Sequence, residues 1–390
     1  MTGATPPGPL AGLLVADFSR VLAGPYCTML LGDLGADVVK VESPAGDDTR
    51  SWMPPVTDDG VSTYYLAVNR NKRSVALDLG ADADLAAARE LARRADVVIQ
   101  NFKPGGLRRF GLDYDSVRAG NPAVVYASIS GFGSGAGASL PGYDLIVQAM
   151  SGLMSLTGSP DGPPFRAGIS IFDVMAGMHA TIGIVAALRH REVTGEGQQI
   201  EVNLMSSALS GLVNQASAVV NSDTVPIRMG NAHPSVFPYE SLPTGDGDLI
   251  VAAGNDRQFR TLCEILGAPE LADDPRFARN ADRTANREQL RPLLEQRLAG
   301  RGKQDWFETL IGAGVPAGPI NTVAGGVAFA EQLGLAPVVE LGEAGRERRS
   351  IRHPITFSAT PARHDLPPPE LDEHGEQLRA WLRDGAKENR

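Results

Sequence analysis

The chain has 390 residues, 43% of them hydrophobic and 21% charged, and a formal net charge of −10. Such a length exceeds one ordinary domain, and such a balance belongs to a packed globular protein rather than a disordered one. The acidic excess sets nucleic acid aside as a partner, while two distant cysteines, Cys27 and Cys263, exclude a disulfide framework and fit a reducing cytoplasm.

The first half alternates short apolar runs with amphipathic ones. Met1–Pro9 has no basic leader, so no signal peptide is expected. Leu13–Phe18 reads as a buried strand, followed by the turn Leu22-Ala23-Gly24-Pro25 and a helix from about Tyr26 to Leu34. Asp37–Glu42 is a second strand, Val75–Leu79 a third and Asp82–Arg94 a helix, with further strands at Asp96–Ile99 and Val124–Ile129. Near-continuous apolar strands alternating with helices predict a parallel α/β sheet. Met175–Leu188 is apolar but short for a bilayer and contains His179, so no membrane span is expected.

From about Val225 the texture changes. A hairpin is predicted over Tyr239–Ala253, turning at Thr244-Gly245-Asp246-Gly247. Helices follow over Asp256–Leu266, Asn280–Leu298 and Gln304–Ala313. His353–Phe357 reads as a returning strand, and a last helix comes after Pro367-Pro368-Pro369. The organisation expected is a large, discontinuous α/β domain over residues 1–210 and 335–390, interrupted by a smaller one over 225–325. Residues 211–224 and 326–334 are read as linkers.

Gly131-Phe132-Gly133-Ser134-Gly135-Ala136 loosely fits a dinucleotide-binding loop, but Gly137 to Pro141 cannot open the helix that should hold the pyrophosphate. No phosphate-binding Walker loop and no nucleophile-elbow serine occurs, and the six histidines lack metal-ligand spacing, so no metal is expected.

Asp173 is the carboxylate of interest. It follows Gly168–Phe172 and precedes a helix rich in small residues, which puts it at or near a helix N-cap. One reading is a plain cap, worth about 0.5–2 kcal/mol. The other is a carboxylate kept ionised by the helix dipole and able to attack a thioester carbonyl. Spacing does not separate them. Three basic clusters, Arg70-Asn71-Lys72-Arg73, Lys103 with Arg108 and Arg109, and Arg20 with Lys40, read either as solvated faces or as ligands for several phosphates.

In order along the chain, Asp17–Pro25, Gly35–Glu42, Asn69–Ser74 and Asn101-Phe102-Lys103-Pro104-Gly105 resemble the signatures of the CaiB/BaiF group of class III CoA-transferases. So do Gly142-Tyr143-Asp144-Leu145, Thr194-Gly195-Glu196-Gly197-Gln198, Gly230-Asn231 and Gly314-Val315-Pro316. The resemblance implies an enzyme that moves coenzyme A from an acyl-CoA to a small carboxylic acid, with CoA a substrate and no permanently bound cofactor. It makes Asp173 the nucleophile, passing through an aspartyl anhydride and an aspartyl-CoA thioester. Val21, Leu22 and Ala23 would contact the nucleotide end of CoA and Leu77 its adenine. Asn101, Phe102 and Lys103 would hold the pantetheine and phosphate region and Arg109 a phosphate, with Tyr143 and Asp144 near the thioester.

The implied fold is a Rossmann-like large domain with an inserted smaller α+β domain, in an interlocked homodimer of two ring-like chains. Formyl-CoA transferases carry a run of glycines after the Gly-Asn pair, whereas Ala232-His233-Pro234-Ser235 follows here. His233 is therefore read either as facing the substrate or as a turn residue. Donor and acceptor acids are not identified.

Two rivals remain. An α-methylacyl-CoA racemase shares the implied fold but pairs a histidine with an aspartate as two bases, and Tyr143 stands where that histidine falls. A tyrosine, with a reference pKa near ~10, is a poor proton acceptor at neutral pH. The other rival is a catalytically silent CoA-binding protein.

Overall fold

A computed structural model describes residues 7–342 and 346–385. Met1–Pro6, on which most of the leader reading rests, lies outside the described residues. The chain divides into two compact units, Met1–Leu153 with Arg166–Thr224 and Ala336–Arg390, and Met154–Phe165 with Val225–Leu335.

The first unit opens with β1 (Leu14–Asp17), α1 (Ala23–Asp33), β2 (Asp37–Glu42), α2 (Thr63–Val68) and β3 (Lys72–Ala76). There follow α3 (Asp82–Arg94), β4 (Val97–Gln100), α4 (Tyr114–Gly120), β5 (Val125–Ser130) and α5 (Asp144–Met150). The chain passes into the second unit through the short α6 (Leu153–Leu156), and back in the first come α7 (Ile171–Thr194), β6 (Gln199–Asn203), α8 (Leu204–Gly211) and α9 (Val213–Ser222). All six strands run parallel in the order β3-β2-β1-β4-β5-β6. This is the order of the doubly wound dinucleotide-binding fold, with its reversal between β1 and β4.

Both faces of the sheet are covered, which is why its strands read as apolar runs. On one face Val15, Val38, Ile99 and Ala127 pack against Leu31 of α1 and Ala176, Ala180 and Ile184 of α7. On the other, Ala16, Val39 and Val98 pack against Leu91 of α3, Val117 of α4 and Leu378 of a C-terminal helix. Truncating one such fully buried leucine to alanine costs about 2–5 kcal/mol.

Several boundaries differ from the sequence expectation. The third strand is Lys72–Ala76, paired with Val38–Glu42, rather than Val75–Leu79. Its Lys72 and Ser74 point into a buried polar network, so its composition hides it. α1 starts at Ala23 because Pro25 falls in the first turn, where its missing N–H costs nothing. Among the described residues α7, with 24 residues, is long and apolar enough to cross a membrane by length and composition, unlike the shorter Met175–Leu188 run. Its line of Ala176, Ala180, Ile184 and Ala187 is packed into the sheet core.

In the second unit β7 (Tyr239–Thr244) and β8 (Gly247–Ala252) form the expected hairpin. α10 (Asp256–Ile265), α11 (Glu270–Asp273), α12 (Asn280–Ala285), α13 (Arg287–Leu298) and α14 (Lys303–Gly312) follow, then β9 (Ala317–Pro319) beside β8, and α15 (Val323–Gln332). Phe237, Leu249, Phe259, Leu290 and Trp306 form its core. The single helix expected over Asn280–Leu298 breaks at Asn286, whose side-chain amide donates to the carbonyls of Asp282 and Arg276.

The first unit ends with β10 (Val338–Leu341), its antiparallel partner β11 (Arg348–Ile351) and α16 (Gly375–Gly385). His353–Phe357 is not the expected strand. Pro354 lacks a donor, and the His353 ring turns inward to Asp33, 3.0 Å away.

Candidate active site

Loops after β1, β4 and β5 meet outside the carboxyl ends of the strands, at the reversal of strand order where open α/β sheets bind ligands. Between them lies a cleft of ≈ 570 Å³. Val21, Leu22 and Ala23 form one wall, Asn101, Phe102 and Lys103 another, and the stretch from Ile129 to Tyr143 a third; Trp52, Leu204 and Asp173 complete it.

The first wall is strained. Val21 has φ 67°, a genuine outlier for a β-branched residue and one that costs about 1–3 kcal/mol. Its N–H donates to the Asp47 carboxylate at 3.2 and 3.3 Å, and Asp47 is held 2.8 Å from the buried Lys40 ammonium. Lys40 also donates to the Ser19 carbonyl. Beneath it, Lys72 donates to Asp17, to the Pro25 carbonyl and to Asn69. Burial works to raise the Asp17 carboxyl. Lys72, Lys40 and the hydroxyls of Ser19 and Thr28 outweigh it and hold Asp17 below the usual carboxylate range. The second wall is stitched to the first by Asn101, which accepts the Arg20 N–H at 3.0 Å and donates to the Arg20 carbonyl at 2.8 Å.

These pairings settle the basic clusters. Lys40 and Lys72 are wholly buried, Arg70 is buried on Asp33, and Arg73 pairs with Asp37, so this group supports the loops rather than presenting charge to a ligand. Lys103 and Arg20 remain on the cleft wall, Arg20 3.5 Å from the exposed Asp48.

Asp173 is the third residue of α7, not its cap, and is half-buried at the cleft edge. One turn further, Gly177 lets α1 approach: a Cβ there would lie 2.7 Å from the Ala23 carbonyl oxygen. Since residues i and i+4 share a helix face, this contact brings Asp173 beside the Val21–Ala23 loop. The cap of α7 comes from another helix. Asp144, at the start of α5, accepts the N–H groups of Phe172 at 2.8 Å and Asp173 at 3.3 Å. The helix dipole therefore does not keep Asp173 readily ionised. Burial, aided by the Asp144 charge, pushes its carboxyl up to about 7.

Asp144 is 6% exposed and off the cleft, so it acts through α7 rather than touching a ligand. Leu77 is likewise off the cleft, packed into the sheet core, and Arg109 is exposed over the Phe110 ring at 4.5 Å. Tyr143 lines the cleft. His233 belongs to the second unit, where its Nδ1 accepts the Ser235 N–H at 3.1 Å within its own turn.

Tyr64 and Trp52 were not singled out by the sequence. Their rings meet edge-on at 5.1 Å, and the Tyr64 hydroxyl, pushed up by burial, bonds Ser170 just ahead of Asp173. Nothing local in the sequence marks this long-range pairing. The Gly131–Gly142 loop folds back on itself, since a Cβ on Gly131 would lie 2.3 Å from the Gly142 Cα, and it opens no nucleotide-binding helix.

A half-buried carboxyl that titrates near neutrality, set on a large cleft whose walls carry Lys103 and Arg20, is suited to nucleophilic attack on an anionic acyl carrier. The model of CoA-transferase family III matches residues 10–375. The chain belongs to that family. Its relatives include the succinate–glutarate CoA-transferase of Agrobacterium fabrum, 45% identical over 382 residues and 96% of each chain. The acetyl-CoA:oxalate CoA-transferase of Acetobacter aceti is 41% identical, covering 97% of each. A solved CaiB/BaiF family protein from Brucella suis superposes with a TM-score of 0.87 at 44% identity, covering 96% of this chain and 100% of that one.

Proposed function

We propose that this family III protein transfers CoA between two dicarboxylic acids through covalent intermediates on Asp173, with succinyl-CoA as donor and glutarate-sized acids as acceptors. The single observation that carries the covalent step is Asp173 itself, at the cleft edge, beside the strained Val21–Ala23 loop, with its carboxyl near neutrality. The choice of acids leans on the 45% identity to a succinate–glutarate transferase.

In this reading an Asp173 oxygen attacks the acyl carbonyl, the C–S bond breaks, and CoA leaves as thiolate from a mixed anhydride. The thiolate attacks the aspartyl carbonyl, forming an aspartyl-CoA thioester and releasing the donor carboxylate. The acceptor carboxylate attacks that thioester and again frees thiolate. Attack on the acceptor side of the second anhydride then yields the new acyl-CoA and regenerates Asp173. Lys103 and Arg20 face the CoA phosphates. The Val21–Ala23 loop, expected from the resemblance at the nucleotide end, holds the reacting end instead because it lies beside Asp173, and Asn101 keeps that loop in place. The assembly in this reading is the interlocked homodimer, with the smaller unit as an insertion. Exposed Ile182 and Val193 of α7 and Val220 of α9 are apolar surface for the second chain to cover.

Incubation with succinyl-, glutaryl- and acetyl-CoA, followed by hydroxylamine or borohydride and peptide mass spectrometry, tests the reading. A mass change on Asp173, absent in Asp173→Ala, is expected. Solvent deuterium entering the α-position of a branched acyl-CoA without labelling would replace it with a racemase. Tight CoA binding with neither signal would replace it with a silent binder.

A further inference from the structure

The surroundings of Asp173 contain a second carboxylate that the covalent scheme does not use. Asp144 lies almost wholly buried on α5, one residue past Tyr143. Its Oδ1 takes the two α7 N–H groups and its Oδ2 takes the Gln148 side-chain amide. Gln148, fully buried, also donates to the Ile169 carbonyl at 3.1 Å and accepts the Ala167 N–H at 2.8 Å. α5 thus clamps the segment that carries Asp173 from both sides of Ser170. Among the described residues, the charge of Asp144 is met by N–H dipoles and by no ion pair with a lysine or arginine.

A helix N-terminus carries roughly half a positive charge on its free N–H groups and is a natural place to stabilise an anion. In α7 that capacity is spent on Asp144. Other groups near the site leave the balance unchanged. Tyr64 of α2 is held protonated by burial, and α1 brings Tyr26 and Cys27, both pushed up by burial and neutral. α8 brings Ser207, bonded to His179, and β6 carries Glu201, bonded to Ser134. Arg20, Asp48 and Lys103 line the same cleft, and among the charged groups it is Asp144 that pushes Asp173 up.

Building on the transferase reading, we propose that Asp144 is a positioning residue that withholds the α7 N-terminus from Asp173 and, by its own charge, keeps the Asp173 carboxylate poorly stabilised and reactive toward a thioester. Acylation removes the Asp173 charge and with it the repulsion from Asp144, so the covalent step is favoured by relief of a strain that the resting site holds. A cap alone does not need a charge: asparagine or serine at 144 would also accept the α7 N–H groups. The inference is that the charge matters.

The test compares the full-length wild type with Asp144→Asn, Asp144→Ser and Asp144→Glu. In each, Asp173 is titrated by difference infrared spectroscopy of its carboxylate stretch, assigned against the corresponding Asp173→Asn protein. The neutral caps are expected to lower the Asp173 midpoint by about one pH unit or more. They should also slow single-turnover acylation by succinyl-CoA about tenfold above pH 8, where Asp173 is ionised in every variant, whereas Asp144→Glu stays close to wild type. An unmoved midpoint in a folded neutral variant overturns the proposal, even if activity falls, because a purely structural cap moves activity without moving the titration. Absence of acylation in the wild type would sink the transferase reading and the claim about reactivity, while the titration still decides the charge relation between the two aspartates.

Discussion

The carbonyl oxygen of Ala23 stands 2.7 Å from the point where a Cβ on Gly177 would lie. α1 and α7 therefore meet backbone to backbone, one turn beyond Asp173, and that contact sets the distance between Asp173 and the Val21–Ala23 loop. A larger side chain must push α1 outward, since a helical carbonyl cannot swing aside. Overpacking of this kind costs about 1–3 kcal/mol. Gly177→Val is expected to lower kcat/KM for acyl-CoA at least tenfold while the protein remains folded by circular dichroism. Unchanged kinetics in a folded variant would show that the approach does not position the nucleophile.

Asn101 holds the Arg20 peptide from both sides, accepting its N–H and donating to its carbonyl. Asp at this position keeps the acceptor, loses the donor and sets a negative charge against the Arg20 oxygen. Each net hydrogen bond is worth about 0.5–1.5 kcal/mol, so global stability changes little. The loop that carries strained Val21 is loosened instead. Asn101→Asp is expected to raise KM for acyl-CoA several-fold with a small change in Tm, and a large loss of Tm with unchanged KM would contradict this.

The basic residues divide into two sets that mutation can separate. Lys103 lines the cleft, whereas Arg73 pairs with Asp37, 2.5 Å away, and does not line it. Lys103→Ala should raise KM for CoA substrates about tenfold and reduce the salt dependence of KM, as expected when a phosphate contact is lost. Arg73→Ala should leave KM unchanged. Equal effects of the two substitutions would place the CoA phosphates elsewhere.

Much of the sheet was legible because strands buried on both faces read as apolar runs. Strands β1, β2, β4 and β5 and helix α3 follow from that pattern. β3 does not, because Lys72 and Ser74 face inward toward acceptors such as Asp17, which lies far off in sequence and becomes a neighbour only in the sheet. β6, Gln-Ile-Glu-Val-Asn, alternates as an edge strand should, but its polar residues mask it. In the site, Val21–Ala23, Asn101–Lys103 and Tyr143 line the cleft, whereas Leu77, Arg109, Asp144 and His233 do not. The role of Asp144 was illegible: its carboxylate caps a helix that begins 27 residues later, a pairing no local spacing encodes.

Lys72 and Asp17 form a charged pair with no exposure on either side chain. Burial pushes the Lys72 ammonium down to about 8 against the pull of Asp17. Removing Lys72 leaves the buried Asp17 charge to Lys40 alone, and breaking such a buried pair costs about 3–5 kcal/mol. Lys72→Met is expected to destabilise the protein by that amount in urea unfolding, and Lys72→Met with Asp17→Asn to recover much of it. Equal loss in the single and double variants would mean that the pair is not what stabilises this layer.

Asp173 carries a cost in the folded protein that depends on pH. Its carboxyl rises from 3.8 to about 7 on folding, through burial first and Asp144 second. Below about pH 3 the group is largely protonated in both folded and unfolded chains and costs little. As pH climbs from about 3 to 7 the unfolded chain loses its proton while the folded one retains it, so the folded state loses stability across that window and stays penalised above it. One pKa unit corresponds to about 1.4 kcal/mol, which caps the penalty at roughly 4 kcal/mol. Asp173→Asn removes the charge and keeps the shape. Differential scanning calorimetry should therefore show the variant more stable than wild type at pH 8, with the gain shrinking toward zero at about pH 3. A gain that does not vary with pH would mean that Asp173 is not strained by its charge, and would remove the electrostatic basis for its reactivity.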